Sequence, residues 1–293
     1  MKTNMDVLCV GHASYDLVFA VDHHPDADEK TYAEKFISCG GGPAANAAVT
    51  VSRLGLKSAF AGYLGNDFYG QRHLEELSQA AVNTDLVVRS DSPTPLSAIL
   101  VKPDGQRTVV NYKGETAPLP ADSMDFSRWH PQVILFDGHE PEVSLALMKA
   151  IKDRGISTVL DAGSVHRGSL KLLEQVNYAV VSQKFARECT GKEDPQQAAL
   201  KLGQHSAAVV VTLGEAGLVW KNEDGSGSLP AYSIDAVDTT GAGDAFHGAF
   251  AAGLAYGQPW EDLLALPVPP PLCAVPSMVR ARPFRQPAAL PHF

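Results

Sequence analysis

The sequence has few cysteines, little positive charge and no long hydrophobic run, and each absence excludes a class of protein. Its four cysteines include no CxxC pair, which argues against a zinc site or a disulfide framework and favours reduced thiols. Only 24 residues are basic against 33 acidic ones, without a basic run, so nucleic-acid and anionic-membrane partners have little support. The short apolar N-terminal run is broken by His12 and Asp16, which predicts a buried strand rather than a signal peptide or a membrane span. We therefore expect a cytoplasmic protein.

What the sequence does contain is an alternation of short apolar runs and helical patterns. Runs such as "DVLCVG", "QVILFDG" and "AAVVVTLG" predict buried parallel strands, and stretches such as "AANAAVTVSRLGL" predict the helices between them. This alternation is typical of an α/β protein whose mostly parallel sheet is covered on both faces. Ligands bind such sheets at the carboxyl ends of the strands. Several runs end in a polar residue that we expect to face this edge: Asp16, Asp67, Asp137, Asp161 and Ser182.

Two stretches interrupt the alternation and predict a small antiparallel flap. "TYAEKFISC" (31–39) and "LSAILVKPDGQRTVVNY" (96–112) favour extended strands, the second as a hairpin around Pro103–Gly105. Since neither has a helix beside it, we interpret them as strands of a lid drawn from about residues 12–40 and 95–115. An ordinary extension of the sheet edge would give the same pattern.

Two glycine loops, "CGGGPAANAA" (39–48) and "TTGAGDAF" (239–246), each precede an alanine-rich helix. Glycine lets a backbone approach a ligand closely, and the free N–H groups of a helix N-terminus attract anions. Either loop alone could simply begin a helix. The first also fits GxGxxA through Gly40, Gly42 and Ala45, although Pro43 disturbs the match. A dinucleotide-binding oxidoreductase is therefore one alternative.

The second loop carries the pattern that phosphoryl transfer to an alcohol requires. That reaction needs N–H donors where charge builds on the transferred group and a carboxylate that receives the hydroxyl proton. Gly241, Ala242 and Gly243 can supply the donors, and Asp244 follows in the first helical turn. The alternative is that Asp244 only favours the helix N-terminus.

"VDTTGAGDAFHGAF" (237–250) resembles the C-terminal signature of the ribokinase-like (PfkB) carbohydrate kinases, and "GGGPAANAAVTVSRLG" (40–55) resembles their N-terminal signature. The order, spacing and flap segments match as well, over about residues 5–265. The resemblance implies a ribokinase-like three-layer sandwich with a central, mostly parallel sheet and a small β lid, as a single domain over residues 1–293. It also implies ATP as donor, Mg²⁺ as its companion and room for a monovalent cation.

The resemblance also assigns site residues. Asp244 matches the catalytic base, and Gly241, Ala242 and Gly243 match the anion hole. Positions that hold the sugar match Asp16, Gly41, Gly42 and Asn46, with Asn111 and Tyr112 as weaker candidates. Positions near the nucleotide match Ser182, Thr212, Gly214, Gly217, Asp238 and Thr240. Structural roles are the alternatives, since Asn46 can be an ordinary helix residue and the glycines at 214 and 217 can shape a hairpin.

The chain departs from the family pattern where the family carries an Asn-x-x-Glu stretch that organises Mg²⁺. Ser182 and Phe185 occupy the positions of that Asn and Glu. Because a phenylalanine side chain cannot bind a metal or its water ligands, the metal ligands stay unassigned. Ketohexokinase-type and sulfofructose-kinase-type sequences are similar at this point, which favours a ketose substrate. Asp161 and Arg167 are candidates for contact with an anionic group of the substrate, with a surface position as the alternative for Arg167.

The last segment (266–293) is proline-dense and cannot form the alanine-rich helix with which this family ends. A shifted reading frame joins the third base of each codon to the first two bases of the next codon. In that frame Met278 and Val279 become a glycine, and Pro269–Pro271 become alanine-class codons. Both changes agree with the alanine-rich ending of the family. We interpret the segment as the product of a frameshift near residue 265. A genuine proline-rich tail is the alternative.

Taken together, these features predict an ATP-dependent carbohydrate kinase that transfers the γ-phosphoryl group to a sugar hydroxyl, with a ketose such as fructose favoured. A nucleoside kinase of the same fold is one alternative, in which Phe19, Phe36 or Tyr112 would stack on a base. A sugar-binding protein impaired by its altered C-terminus is another. The expected partners are the sugar and ATP, and exposed lid strands favour a homodimer through the lid.

Overall fold

The computed structural model describes residues 3–231 and 241–265. Within these ranges, the strands are β1 (Thr3–Gly11), β2 (Ser14–Ala20), β3 (Lys35–Gly41), β4 (Ser58–Gly65), β5 (Asn83–Ser90), β6 (Leu96–Val101), β7 (Arg107–Tyr112), β8 (Trp129–Phe136), β9 (Ser157–Ala162), β10 (Tyr178–Ser182), β11 (Ala208–Thr212), β12 (Leu218–Lys221) and β13 (Ser226–Leu229). The α-helices are α1 (Pro43–Arg53), α2 (Phe68–Gln79), α3 (Pro141–Ile151), α4 (Arg167–Leu173), α5 (Gln183–Thr190), α6 (Pro195–Leu202), α7 (Ala242–Ala255) and α8 (Trp260–Leu264).

The central sheet has the order β13-β12-β11-β10-β9-β8-β1-β4-β5 in the described part of the chain. Strands β5, β4, β1, β8, β9, β10 and β11 pair in parallel, whereas β12 and β13 extend one edge antiparallel. The apolar runs form the central strands because both of their faces are buried, as in β1, where Val7 to Val10 are inaccessible to solvent. The predicted α/β fold class is confirmed.

Helices cover both faces of this sheet and make the outer layers. Alternate β1 residues point to two separate cores: Leu8 and Val10 pack with Leu147 of α3 and Phe185 of α5, and Val7 and Cys9 pack with α1, α2, α7 and α8. The carboxyl ends of the parallel strands therefore open between the N-termini of helices from both layers. This edge is where β1, β8 and β9 present the residues that follow them.

A second sheet, in the order β3-β2-β6-β7, stands apart from the central one. The segments predicted to be extended form its strands β3, β6 and β7, and β2 supplies the fourth. All six residues of the outer strand β7 are exposed. Glu76 of α2 holds the inner end of this sheet, because its carboxylate accepts hydrogen bonds from the Gly40 N–H at 2.6 Å and the Tyr15 hydroxyl at 3.3 Å.

Helices α1 and α7 pack against each other at very short range. A Cβ at Gly248 of α7 would lie 2.7 Å from the Ala47 carbonyl oxygen and 2.9 Å from its Cα. The alanine-rich surface of α1 permits this approach, since Ala44, Ala47 and Ala48 are fully buried. The contact fixes the position of the first turn of α7 relative to α1.

We expect Gly248→Val to destabilise the fold. The added side chain meets backbone atoms that cannot move away, and overpacking of this kind costs about 1–3 kcal/mol. Chemical denaturation of the purified variant measures the change in the free energy of unfolding. Gly225→Val is the matched control, because a Cβ at Gly225 meets no atom within 4 Å. An unchanged midpoint in Gly248→Val would contradict the close packing of the two helices.

Several sequence-based expectations concern individual residues. Cys9 is buried and Cys189 is partly buried, and both are free thiols. None of the described helices is long and apolar enough to cross a membrane. The proline-rich segment 266–293 lies outside the described residues.

Candidate active site

The N-termini of α1 and α7 meet at the edge of the central sheet. Each helix follows a glycine with positive φ, Gly42 at 97° and Gly241 at 74°, a backbone region that other residues rarely adopt. The Asn46 side-chain amide of α1 donates a hydrogen bond to Asp244 Oδ2 of α7 at 2.9 Å. Two motifs 198 residues apart therefore join at one point.

The first turn of α7 faces solvent-accessible space. Ala242 and Gly243 are exposed, and a Cβ at Gly243 would meet no atom within 4 Å. The N–H groups of this turn lack partners within the helix and carry the positive end of its dipole. An anionic group can therefore approach the backbone of Gly241, Ala242 and Gly243, directly beside the half-buried Asp244 carboxylate.

The pKa of Asp244 is raised to about 6, first by burial and then by the nearby carboxylate of Asp161. The hydrogen bond from Asn46 and the charge of His247 act in the opposite direction. A carboxylate with such a pKa is mostly ionised at neutral pH, yet it binds a proton more readily than an ordinary aspartate. These are the properties of a general base.

Asp16 of β2 lies against the glycine loop that precedes α1. Its carboxylate accepts a hydrogen bond from the Ser14 hydroxyl at 2.9 Å, and a side chain at Gly41 would collide with that carboxylate. Burial raises the pKa of Asp16, while hydrogen bonds from Ser14 and Ser97 lower it in part. Gly42 is equally restricted, because a Cβ there would lie 2.6 Å from the His12 carbonyl oxygen.

Asn111 and Tyr112, at the end of β7, lie on opposite faces of the second sheet. Asn111 pairs with Ser97, which pairs with Asp16, so the three side chains share one face. Tyr112 pairs with Leu96, which pairs with Tyr15, and its side chain lies on the other face. The register therefore places Asn111, but not Tyr112, on the face that carries Asp16.

Asp137, which follows β8, ties three segments of the site together. Its Oδ2 accepts hydrogen bonds from the His12 N–H at 2.7 Å and the Ala44 N–H at 3.2 Å, and its Oδ1 accepts one from the His139 N–H at 2.8 Å. The carboxylate thus occupies the N-terminus of α1. Asp67, by contrast, caps α2 by accepting the Gly70 N–H at 2.7 Å and takes no part in the site.

The residues expected near the nucleotide lie at the ends of β10 and β11. Ser182 and Thr212 are register partners, and their hydroxyls donate to the carbonyl oxygens of Gly163 at 2.9 Å and Val181 at 3.3 Å. Gly214 begins a 3₁₀ turn, and Gly217 packs tightly against the Leu229 carbonyl oxygen. Asp238 and Thr240 fall outside the described residues.

The described residues do not fit a magnesium site. Ser182 caps α5 by accepting the Phe185 N–H at 3.0 Å, and the Phe185 side chain is fully buried in the core. In residues 3–231 and 241–265, no group of three or more His, Cys, Asp or Glu side chains could hold a metal ion.

Asp161 and Arg167, the candidates for contact with an anionic group of the substrate, each pair with another residue of the chain, and for Arg167 the alternative of a surface position holds. Asp161 was expected to face an anionic substrate. Its Oδ2 atom lies 3.1 Å from Nδ1 of the buried His247 ring. Arg167 forms an exposed salt bridge with Glu142 at 2.7 Å, so it is a surface residue. His247 itself was not predicted, although a histidine amid the apolar residues of α7 is the signal that could have identified it.

Three histidine rings, also not predicted, line the same edge of the sheet. The ring centroids of His12 and His139 are 5.3 Å apart, and those of His139 and His166 are 4.6 Å apart and stacked. Burial lowers the pKa of His12 to about 3 and that of His166 to about 4, so both are neutral at physiological pH. Neutral imidazoles can donate and accept hydrogen bonds, which suits contact with hydroxyl groups.

Comparison with known proteins gives a consistent set of similarities. The family described as "pfkB family carbohydrate kinase" matches residues 4–268. The chain is 30% identical to a ribokinase of Lactococcus lactis over 89% of this chain and 88% of that protein. It is 27% identical to a probable fructokinase of Arabidopsis thaliana over 80% of each. The crystal structure of the Thermotoga maritima ribokinase superposes with a TM-score of 0.75 at 25% identity, over 89% of each chain.

Proposed function

Because the chain belongs to the pfkB family of carbohydrate kinases, it is a sugar kinase, and we propose that it transfers the γ-phosphoryl group of ATP to a hydroxyl of a ketose such as fructose. The observation that carries this proposal is the Asn46–Asp244 contact. It places a carboxylate with a raised pKa beside the open N-terminal turn of α7. A base and an anion-stabilising turn at one point are what phosphoryl transfer requires.

In the proposed mechanism, Asp244 receives the proton of the acceptor hydroxyl. The sugar oxygen then forms a bond to the γ-phosphorus, while the bond between that phosphorus and the ADP oxygen breaks. The N–H groups of Gly241, Ala242 and Gly243 stabilise the charge on the transferring group. Asn46 holds Asp244 by its hydrogen bond, so the carboxylate keeps one orientation.

The sugar is proposed to lie between the second sheet and the N-terminus of α1. Asp16 accepts hydrogen bonds from two sugar hydroxyls, the backbone at Gly41 and Gly42 permits close approach, and Asn111 contributes from the same face. Tyr112 has no place in this arrangement, because it lies on the other face. Closure of the second sheet over the sugar would exclude water, which competes as a phosphoryl acceptor.

ATP is proposed to bind at the ends of β10 and β11, beside Ser182, Thr212, Gly214 and Gly217. Asp238 and Thr240 are proposed to complete this nucleotide site. Since the described residues offer no ligand set for a metal, Mg²⁺ would be held by the phosphates of ATP, and a monovalent cation is proposed alongside. Support comes from the position of β10 and β11 at the same sheet edge as Asp161 and Asp137. A donor bound there would reach the N-terminus of α7.

An assay of ATP consumption with a panel of acceptors tests the function. The panel contains fructose and other ketoses, ribose and other aldoses, and adenosine, since the similar proteins include both a ribokinase and a probable fructokinase. We expect ADP formation that depends on a ketose. Turnover with adenosine alone would establish the nucleoside kinase instead, and nucleotide binding without turnover on any acceptor would establish an impaired binding protein.

The pH dependence of kcat should show loss of activity on the acid side. Asp244 must be ionised to accept a proton, and its pKa is raised to about 6, so activity is full above this pH and falls as the pH drops through it. A pH–rate profile at saturating sugar and ATP measures the midpoint. Asn46→Ala removes the hydrogen bond that lowers the pKa of Asp244, so its acid limb should lie at higher pH than that of the wild type. Coincident profiles would contradict this role of Asn46.

We further propose that residues 266–293 result from a frameshift and that the intact chain forms a cytoplasmic homodimer through the second sheet. Support for the frameshift is the end of the family match at residue 268, within the proline-rich segment. Support for the dimer is the exposed edge strand β7, where Val110 is 63% accessible. Sequencing the gene across codon 265 tests the frameshift proposal. Sedimentation of a Val110→Lys variant tests the dimer proposal.

A further inference from the structure

A buried ion pair lies one helical turn behind the proposed catalytic base. His247 follows Asp244 by three residues on α7, so the two side chains are neighbours on the helix surface. The Nδ1 atom of His247 is 3.1 Å from Oδ2 of Asp161 on β9, and each of the two side chains is only 5% exposed. At this distance a protonated imidazole and a carboxylate form an ion pair.

Every element around this pair contributes to its electrostatics. Asp161 comes from β9, Asp137 follows β8, and Cys9 on β1 contributes a thiol whose pKa is raised by burial and by both of these carboxylates. The α1 helix contributes only the uncharged Asn46 amide to Asp244. Among the described groups that act on Asp244, two are carboxylates, Asp161 and Asp137, and one is an imidazole, His247. Three carboxyl groups, counting Asp244 itself, therefore share a buried region of low dielectric with one imidazole.

The charge state of His247 follows from these surroundings. Burial lowers the pKa of His247, but the carboxylates of Asp161 and Asp244 together with the Val180 carbonyl oxygen outweigh burial, so its pKa lies above the ordinary value. The carboxylate of Asp161, 3.1 Å from Nδ1, therefore favours the protonated form of the imidazole. Its positive charge offsets the repulsion that Asp161 exerts on Asp244.

A role in stability alone does not explain the pair. Replacing a buried ion pair by apolar side chains of similar volume is often neutral or stabilising, since both charges lose their hydration. Elsewhere in α7 after the first turn, apolar side chains fill the buried positions, and Ala245, Ala249 and Phe250 are fully buried. A charged pair at this one position therefore indicates a function linked to its neighbour, Asp244.

We propose that His247, kept protonated by Asp161, is a positioning residue that holds the Asp244 carboxylate ionised and directed at the acceptor hydroxyl. The inference deepens the proposed function, because it takes Asp244 as the base. His247 does not touch the substrate; it acts through Asp244. Asp161 in turn acts through His247.

A double-mutant cycle on the pH–rate profile tests this role. His247→Asn leaves Asp161 unneutralised beside Asp244, so we expect the acid limb of kcat to move up by about one pH unit, while KM for ATP and sugar stays within about twofold. In Asp161→Asn the buried imidazole of His247 loses the carboxylate that most favours its protonated form. Adding His247→Asn to that variant should then leave the acid limb where it is.

The matched control is His205→Asn, because His205 is exposed and lies before the start of β11, at the opposite end of that strand from Thr212. Its profile should coincide with that of the wild type. Equal shifts from His247→Asn in both backgrounds would overturn the proposal, and so would an unmoved acid limb with kcat lowered at every pH. Thermal melting identifies variants that fail to fold, in which case His247→Gln replaces His247→Asn in the cycle.

A second measurement needs no acceptor and so separates this inference from the proposed function. In ¹³C-histidine-labelled protein, the His247 Cε1 resonance, assigned by its loss in His247→Asn or His247→Gln, should report an imidazolium at pH 7 in the wild type. The same resonance should report a neutral ring at pH 7 in Asp161→Asn. A neutral His247 in the wild type would overturn the inference, whatever substrate the enzyme uses.

Discussion

Replacing Asp244 by asparagine should lower kcat by about 10²–10⁴-fold, the usual contribution of a general base. Asparagine keeps the size of the side chain and can still pair with the Asn46 amide, so the helix contact at 2.9 Å has a substitute. It cannot accept the hydroxyl proton. Steady-state rates at saturating ATP and sugar measure the loss, and KM for both substrates should change little because neither binding site is altered.

Asp262→Asn provides the control for this experiment, since Asp262 is an exposed carboxylate in the first turn of α8. That variant should keep the wild-type rate. Thermal melting of both variants establishes that the fold is intact. Turnover of Asp244→Asn within a factor of about three of the wild type would remove the proposed base and, with it, the mechanism.

The second large effect is expected from Asp16→Ala, which should reduce kcat/KM for the sugar by at least about 10²-fold. Hydrogen bonds to a charged group contribute about 1.5–3 kcal/mol each, and a single carboxylate can accept from two hydroxyls. The loss should lie mainly in KM for the sugar, whereas KM for ATP should not change. Initial rates over a range of sugar concentrations separate the two constants.

Asp104→Ala is the corresponding control, because Asp104 belongs to the exposed turn between β6 and β7 of the same sheet. Its sugar KM should equal that of the wild type. If Asp16→Ala lowered kcat alone and left KM for the sugar unchanged, Asp16 would not be a sugar ligand. The sugar would then have to bind away from the β2 strand.

The central strands could be predicted from sequence because burial on both faces demands continuous apolar residues. That signal fails at the sheet edge. Leu86 is the one buried residue of strand β5 (Asn83–Ser90), and both ends of the strand are polar, so the strand gives no long apolar run. Strand β13 (Ser226–Leu229) is short and half exposed, and its pairing with β12 is what makes it a strand. Edge strands depend on their neighbours more than on their own composition.

The site divides in the same way between local and long-range information. The loops around Gly42 and Gly241 could be recognised from the sequence because the signals are local. In each loop, the glycines, the start of the helix and a polar side chain lie within a few residues of each other. The pairing of Asp161 with His247 could not, because it joins β9 to α7 and depends on packing across the sheet. Asp161 alone reads as a strand-end carboxylate, and only the fold shows which charge it faces.

The contact between α1 and α7 also sets the order in which the enzyme can become active during synthesis. The ribosome releases Asp16, the first glycine loop and Asn46 early, but Asp244 emerges 198 residues after Asn46. A growing chain, or a fragment that ends before α7, therefore lacks the proposed proton acceptor. We therefore expect such intermediates not to consume ATP until α7 has docked on α1.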